Sequence, residues 1–329
     1  VDTQFDFSGS SGNFANNGLV TSSDQSQGLT IFGADVINNA GGTFAFDNSQ
    51  LVFQQSALIQ NGGSFTGAGG TLTFDDSAVL LTTDLNAAPL TTISLENTST
   101  IDGSGELILQ ATAALLANGT ATVATDITNA GTIEVTAGNS LEIGDGVTLF
   151  NFDNTGTLTV DGDLNFQKIN GTLGAGSDVQ IASGSRVGLL NDTVLEQNVD
   201  VTLQSGATIT LGSGLSGSTL TGTGTLTNEG TIEFSLGTLD VDTVNIGNMI
   251  TTAGVYAIDS GLDLTTDGSI DLTGGKTLTG AGSVANDASL ALDGNSVFSI
   301  AAFTNTGDMS FGTGNHLVQT GVDFTNAAS

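Results

Sequence analysis

The chain has 329 residues and a net charge of −31, with 34 acidic side chains against Lys168, Arg186 and Lys276. That balance excludes nucleic acid as a natural partner, because phosphate binding needs Lys and Arg to release counterions, and it disfavours anionic membrane surfaces. Cysteine is absent, so neither disulfides nor thiolate metal sites exist, and no run of 18 apolar residues offers a membrane-spanning helix, so membrane insertion is not expected.

From the N-terminus, Asp2-Thr-Gln-Phe5-Asp-Phe7 reads as a strand. A phrase of an apolar residue, any residue and Asn then appears as Phe14-Ala-Asn16, Val36-Ile-Asn38 and Ile59-Gln-Asn61, spaced 22 and 23 residues apart. A second phrase, apolar-x-Gly-x-Gly, follows as Phe65-Thr-Gly67-Ala-Gly69. Gly70-Thr-Leu72-Thr-Phe74 alternates apolar and polar with period two, as a half-buried strand must. Over 75–100 the phrases weaken and an irregular loop is expected. They resume with Ile101-Asp-Gly103-Ser-Gly105, Ile127-Thr-Asn129, Gly131-Thr-Ile133-Glu-Val135, Phe152-Asp-Asn154 and Gly156-Thr-Leu158-Thr-Val160. The Ala-rich stretch 110–118 comes nearest to a helix but is too short and too rich in Thr.

A second weak region, 161–200, is also expected to form irregular loops. Beyond it come Leu220-Thr-Gly222-Thr-Gly224, Leu226-Thr-Asn228, Leu278-Thr-Gly280-Ala-Gly282, Val284-Ala-Asn286, Phe303-Thr-Asn305 and Phe324-Thr-Asn326. The segment LTGTGTLTNEGTIEF at 220–234 matches LTGAGSVANDASLAL at 278–292. Self-similarity at this period marks a solenoid, in which one coil cannot bury its apolar face alone. The expected fold is therefore all-β, a parallel β-helix (β-solenoid) with coils of roughly 19–25 residues, formed as a single solenoid over 1–329. About fifteen coils at ~4.8 Å each would make a rod on the order of 70 Å long.

Corners between strands call for positive φ, which Gly adopts freely and Asn tolerates best of the rest. Asn at equivalent positions of successive coils is expected to form a hydrogen-bonded ladder of Asn16, Asn38, Asn61, Asn129, Asn154, Asn228, Asn286, Asn305 and Asn326. The Phe residues, among them Phe44, Phe46, Phe74, Phe152, Phe234 and Phe303, should fill the core. Both ends read as open coils, which suggests end-to-end association of the chain with itself or further repeats of a longer polypeptide. The absence of a leading Met suggests a processed or partial chain.

Phrases such as LTGTGTLTNEGTIEF resemble the repeats of secreted bacterial β-solenoids, namely autotransporter passengers and filamentous-haemagglutinin-like adhesins. The resemblance covers most of the chain and implies a right-handed parallel β-helix exported to the bacterial cell surface or the extracellular space, acting as stalk, adhesin or matrix. No membrane barrel or secretion domain accompanies it.

Chemistry is sparse. Polysaccharide lyases need a basic proton acceptor, and only three basic residues exist; glycosidases need paired carboxylates and normally aromatic platforms, yet Trp is missing and Tyr256 stands alone. His316 is the sole histidine. Asp161-Gly-Asp163-Leu-Asn165 starts like a helix-loop-helix calcium loop, but Phe166 sits where Gly is required. Thr-x-Thr pairs (Thr71/Thr73, Thr157/Thr159, Thr208/Thr210, Thr225/Thr227, Thr277/Thr279) are too unevenly spaced for a flat ice-binding face. The expectation is a non-enzymatic structural rod without cofactor, apart from weak calcium binding by surface Asp. The alternative is an adhesin binding a surface glycan or host protein through loops in 75–100 or 161–200.

Overall fold

Alternation sets the strands. In Thr132–Val135, Ile133 and Val135 are buried while Thr132 and Glu134 face outward, and Thr157–Val160 repeats the pattern one coil on, in parallel register from Thr132↔Thr157 to Val135↔Val160. In the computed structural model of the chain, residues 3–6, 13–22, 28–89, 91–213, 216–264 and 268–326 are described, and all their regular structure is β-strand. The chain is thus an all-β parallel β-solenoid. Of the terminal segments read as open coils, residues 1–2, 7 and 327–329 lie outside the described residues.

The chain divides into two compact units: residues 1–165 with 176–178, and residues 166–175 with 179–329. In the first unit each coil visits three faces. Its first face stacks Thr3–Asp6, Leu29–Phe32, Gln50–Gln54, Thr71–Asp75, the starts of Thr92–Leu109 and Ala114–Asn129, Thr132–Val135 and Thr157–Val160, every pair parallel. The second unit also winds in three faces, one of which runs from Val201–Leu203 through 226–228, 243–245, Gly261–Leu264, Ser283–Asn286 and 302–305 to 323–326. The first of these stacks has eight strand levels and the second seven, in keeping with the coil number read from the repeats.

Each interior is a stack of like side chains. In the first unit Phe53 stacks on Phe74 (centroids 5.7 Å) and Phe44 on Phe65 (5.5 Å), while in the second Phe234 meets Tyr256 edge-on at 5.4 Å. Phe44, Phe46, Phe74, Phe152, Phe234 and Phe303 are all fully buried. In the first unit the parallel register puts Phe74 beside Phe53 and Phe65 beside Phe44, so apolar burial (~25 cal/mol per Å²) and ring packing add along the stack, whereas Phe234 and Tyr256 meet from different faces.

The two weak regions turn out to be regular. Residues 75–100 hold Ala78–Leu81, Leu85–Ala87 and the start of Thr92–Leu109, and 161–200 holds strands such as Ile169–Leu173, Arg186–Leu190 and Val194–Gln197. Opposite the rung Gln60 stands Leu81, which is why the Asn phrase fades. Ser77, Ser99 and Thr193 turn corners of their own, their hydroxyls buried and bonded to the carbonyls of Phe53, Phe74 and Phe166 of the preceding coil.

The Gly-x-Gly phrase is also explained. At Gly103, Gly222 and Gly280 φ is +131°, +132° and +151°. A Cβ there would lie 2.1, 2.1 and 1.7 Å from the carbonyl oxygens of Leu81, Gln197 and Ile258 of the coil below. The strand register shifts just past Asp102 and Thr221, so at 103 and 222 the phrase is a bulge that carries one continuous strand around a corner, whereas at 280 it joins Thr277–Thr279 to Ser283–Asn286 and at 65–69 the positive φ falls on Gly69.

Candidate functional surface

The expected asparagine ladder is present as separate runs on different edges, not as one column. In the first unit, Asn16 Nδ2 donates to Asn38 Oδ1 at 3.0 Å, and Asn38 Nδ2 to Gln60 Oε1 at 2.9 Å. These residues end second-face strands, whereas Asn129 and Asn154, joined at 2.6 Å, end third-face strands. In the second unit Asn228 pairs with Asn245 and Asn286 with Asn305 (2.7 Å), with Leu264 between the two pairs. Asn305 stands opposite Asn326 in the backbone register.

Asn61 belongs elsewhere. The buried rung is Gln60, one residue earlier, and Asn61 extends an exposed row in which Asn39 donates to Asn17 and Asn61 to Asn39, both at 3.1 Å. Asn245 is a buried rung that the apolar-x-Asn phrase does not single out, although Thr243-Val-Asn245 is one threonine away from it.

Positive φ is not what selects these asparagines. Left-handed non-glycine backbone falls at Asn48, Asn97, Asn191 and Asn295, and at Gln55, Asp76 and Lys168, and at none of the rungs. A rung asparagine acts through its buried amide. Asn129 Oδ1 accepts the N–H of Gly131 (3.0 Å), and Asn228 Oδ1 that of Gly230 (3.1 Å), while each Nδ2 reaches up to the next coil. The carbonyl of Asn129 takes the N–H groups of Thr155 and Gly156 from that coil at 2.8 and 3.1 Å. Gly156 has no room for a Cβ, which would lie 2.1 Å from the Gly131 oxygen. Asn-x-Gly is therefore a corner that satisfies its own donors and those of its neighbour.

Outside, aspartates close corners that no carbonyl reaches. Asp47, Asp84 and Asp126 accept the backbone N–H of Ala68, Glu106 and Asn151 one coil on, at 2.9, 3.0 and 2.7 Å. In the second unit Asp200, Asp242 and Asp259 do the same for Thr225, Gly261 and Ala281, at 2.9, 3.0 and 3.0 Å. The Ser260 hydroxyl and then the Gly261 N–H hold the Asp242 carboxyl below the usual carboxylate range.

Each unit carries an open groove among its described residues. In the first unit, a polar groove of about 410 Å³ is lined by Asp76, Asn97, Thr98, Asn118, Thr120 and Asn139. Asp76 accepts the Thr98 N–H, and Asn118 donates to Glu96 at 3.1 Å. In the second, a shallow groove of about 340 Å³ runs past Thr225, Asp242, Asp263 and Ser283.

Lys276 forms an ion pair with Asp271, and that ammonium first, then the Thr273 hydroxyl, draws the Asp271 carboxyl down to about 2. Because the folded pKa is depressed, the pair adds stability above the unfolded value near pH ~3.9 and loses it as pH falls through about 2. With Asp271 46% exposed, the contribution is under about 1 kcal/mol. An NMR titration should find the Asp271 midpoint near 2, and Lys276→Met should return it to the ordinary range. An unmoved midpoint would break the assignment. Burial, and then the Asp271 charge, raises the Tyr256 phenol, whose hydroxyl donates to the Asp271 carbonyl at 2.7 Å.

His316 contacts the Gly312 carbonyl (3.3 Å) and the Phe311 ring (5.7 Å). Asp163 and Asn165 lie in the extended strand Asp163–Gln167, which does not wrap around an ion as a calcium loop would. The Thr-x-Thr pairs scatter as their spacing implied: Thr71/Thr73 and Thr157/Thr159 share one face of the first unit, while in the second unit the others fall on three different faces.

No family model matches the chain, and no curated protein matches it. Among solved structures, a crystal structure of a TibC-catalysed hyper-glycosylated TibA fragment is similar at 11% identity, over 96% of this chain and 97% of that one, with a TM-score of 0.26. A superposition that loose carries no argument, and the fold rests on the strand register within each unit.

Proposed function

We propose that the chain is a structural β-solenoid of the cell surface or extracellular space, a non-catalytic spacer that associates with copies of itself or with further repeats. The observation that carries this reading is the in-register parallel stacking of coils through buried amide rungs and outer aspartate caps. Each coil then offers its neighbour a complete template, so added coils extend the same bonds. The acidic exterior suits salty surroundings, where screening over about 8–10 Å mutes self-repulsion. No resident cofactor is needed for this role; surface Asp residues could hold calcium weakly. Electron micrographs of the purified chain should show elongated particles or fibres, and isolated globules at high concentration would refute the reading.

A second reading, an adhesin that binds a surface glycan or host protein, is favoured by the polar groove around Asp76, Asn97 and Asn118, part of which lies in the 75–100 region. Binding on a glycan array by a chain that stays monomeric would select it over the spacer.

A further inference from the structure

On the second face of the first unit, two adjacent outward rows carry no charge, while a third, two residues toward the strand starts, holds Asp35. Register places Ala15, Ile37, Ile59 and Leu80 one above another on four successive coils. Ile37 and Ile59 are half-buried and Leu80 is 43% exposed. Two residues along each strand lies the amide row Asn17, Asn39 and Asn61, which Thr82 continues through its bond to Asn61 Oδ1 at 3.3 Å. Neither row carries a charge until Asp102, which faces Leu80 from the next coil.

We propose that this strip seats an extended, uncharged oligosaccharide lying along the stacking direction, with one sugar per coil. The inference takes the glycan ligand of the adhesin reading and moves it from loops to a flat strand face. The aliphatic row gives the C–H face of each ring a surface to lie on. The amide row gives hydroxyls a regular set of partners: Asn39 and Asn61 each use one N–H and one lone pair along the row, which leaves each a second N–H and further acceptor capacity. Coils repeat every ~4.8 Å, close to the advance per residue of an extended sugar chain.

Charge and area select this occupant over others. An uncharged strip on a chain of net charge −31 matches a neutral polymer and offers nothing to a cationic one. Two rows about 7 Å apart over four coils cover on the order of 100 Å². A stable dimer covers about 800 Å² per partner, so a second copy would gain too little from this face.

The test is calorimetric titration of the whole chain with cellohexaose and chitohexaose as neutral linear probes and an oligogalacturonate as charged control. Wild type should bind a neutral probe and not the charged one. Ile59→Asp and Leu80→Asp should each weaken binding at least tenfold. Ile59→Thr and Leu80→Thr, which keep strand propensity, should weaken it several-fold with melting temperature unchanged. Binding unaffected by all four variants overturns the strip while leaving the adhesin reading in place. No binding to either neutral probe at millimolar concentration overturns the strip, and a silent glycan array would then remove the adhesin reading as well. A dimer in sedimentation that Leu80→Asp abolishes would overturn the sugar as occupant.

Discussion

Asn129→Leu is expected to lower the melting temperature by about 10 °C although leucine is nearly the same size and more apolar. The wild-type amide accepts the Gly131 N–H at 3.0 Å and donates to Asn154 Oδ1 at 2.6 Å, both deep in the first unit. Leucine leaves that N–H and that oxygen buried without these partners, each at about 1–3 kcal/mol, which outweighs the added apolar burial. A net loss of about 3 kcal/mol corresponds to roughly 6–12 °C for a unit of this size. The control is Asn39→Leu, in the exposed row, which should stay within about 0.5 kcal/mol of wild type. Lys276 would be a poor control, because its ion pair with Asp271 gives it an effect of its own. Circular dichroism melting reads the difference. Hydrogen exchange should place the loss in the coils that meet at Asn129, since a stacked coil depends chiefly on its neighbours. Equal losses at positions 129 and 39 would show that the buried amide is not what holds the corner.

The strands were legible because alternation is a property of a single segment: Gly131-Thr-Ile133-Glu-Val135 needs no partner to announce its inward face. The corners were only half legible. Asn-x-Gly announces itself, yet reading it as one ladder required assuming that every copy occupies the same edge. Asn38 and Asn129 show that the corner is a portable device, used wherever a strand end must turn, so its spacing in sequence mixes coil length with changes of edge. The choice of Asn61 over Gln60 failed for a different reason. Side-chain direction alternates residue by residue, so a one-residue error moves the amide from the core to solvent. Serine corners were invisible, because an isolated Ser between polar residues looks like any loop; only the cross-coil bonds of Ser77 and Ser99 reveal their role. The aspartate caps and the aliphatic strip were hidden for a shared reason. Both depend on which residues of coils some 22 apart lie side by side, which follows from register and not from local pattern.

Gly222→Ala, one methyl group, is expected to have the larger effect of the two, destabilising the second unit by about 4 kcal/mol or more and diverting much of the protein to insoluble material. Two causes combine. The backbone at Gly222 has φ +132°, outside what an L side chain adopts, and such strain costs on the order of 1–3 kcal/mol. The new Cβ would also stand 2.1 Å from the Gln197 oxygen and 2.6 Å from its carbonyl carbon. Those are backbone atoms of the adjacent coil, held by the Val194–Gln197 pairing with Thr219–Asn228, so no rotamer change relieves the contact. Relief requires opening the stack, and Gly224, with a Cβ position 2.0 Å from the Val199 oxygen, pins the same corner two residues on. Two further glycines separate the causes. Gly254→Ala carries positive φ (+77°) with nothing within 4 Å, so strain alone should apply, at about 1–2 kcal/mol. Gly18→Ala, with open space and no positive φ, should be close to neutral. Melting temperatures should therefore fall in the order Gly18, Gly254, Gly222. If Gly222→Ala melts no lower than Gly254→Ala, the coils are not in the close contact that the bulge requires, and the reason given for Gly-x-Gly in this sequence fails with it.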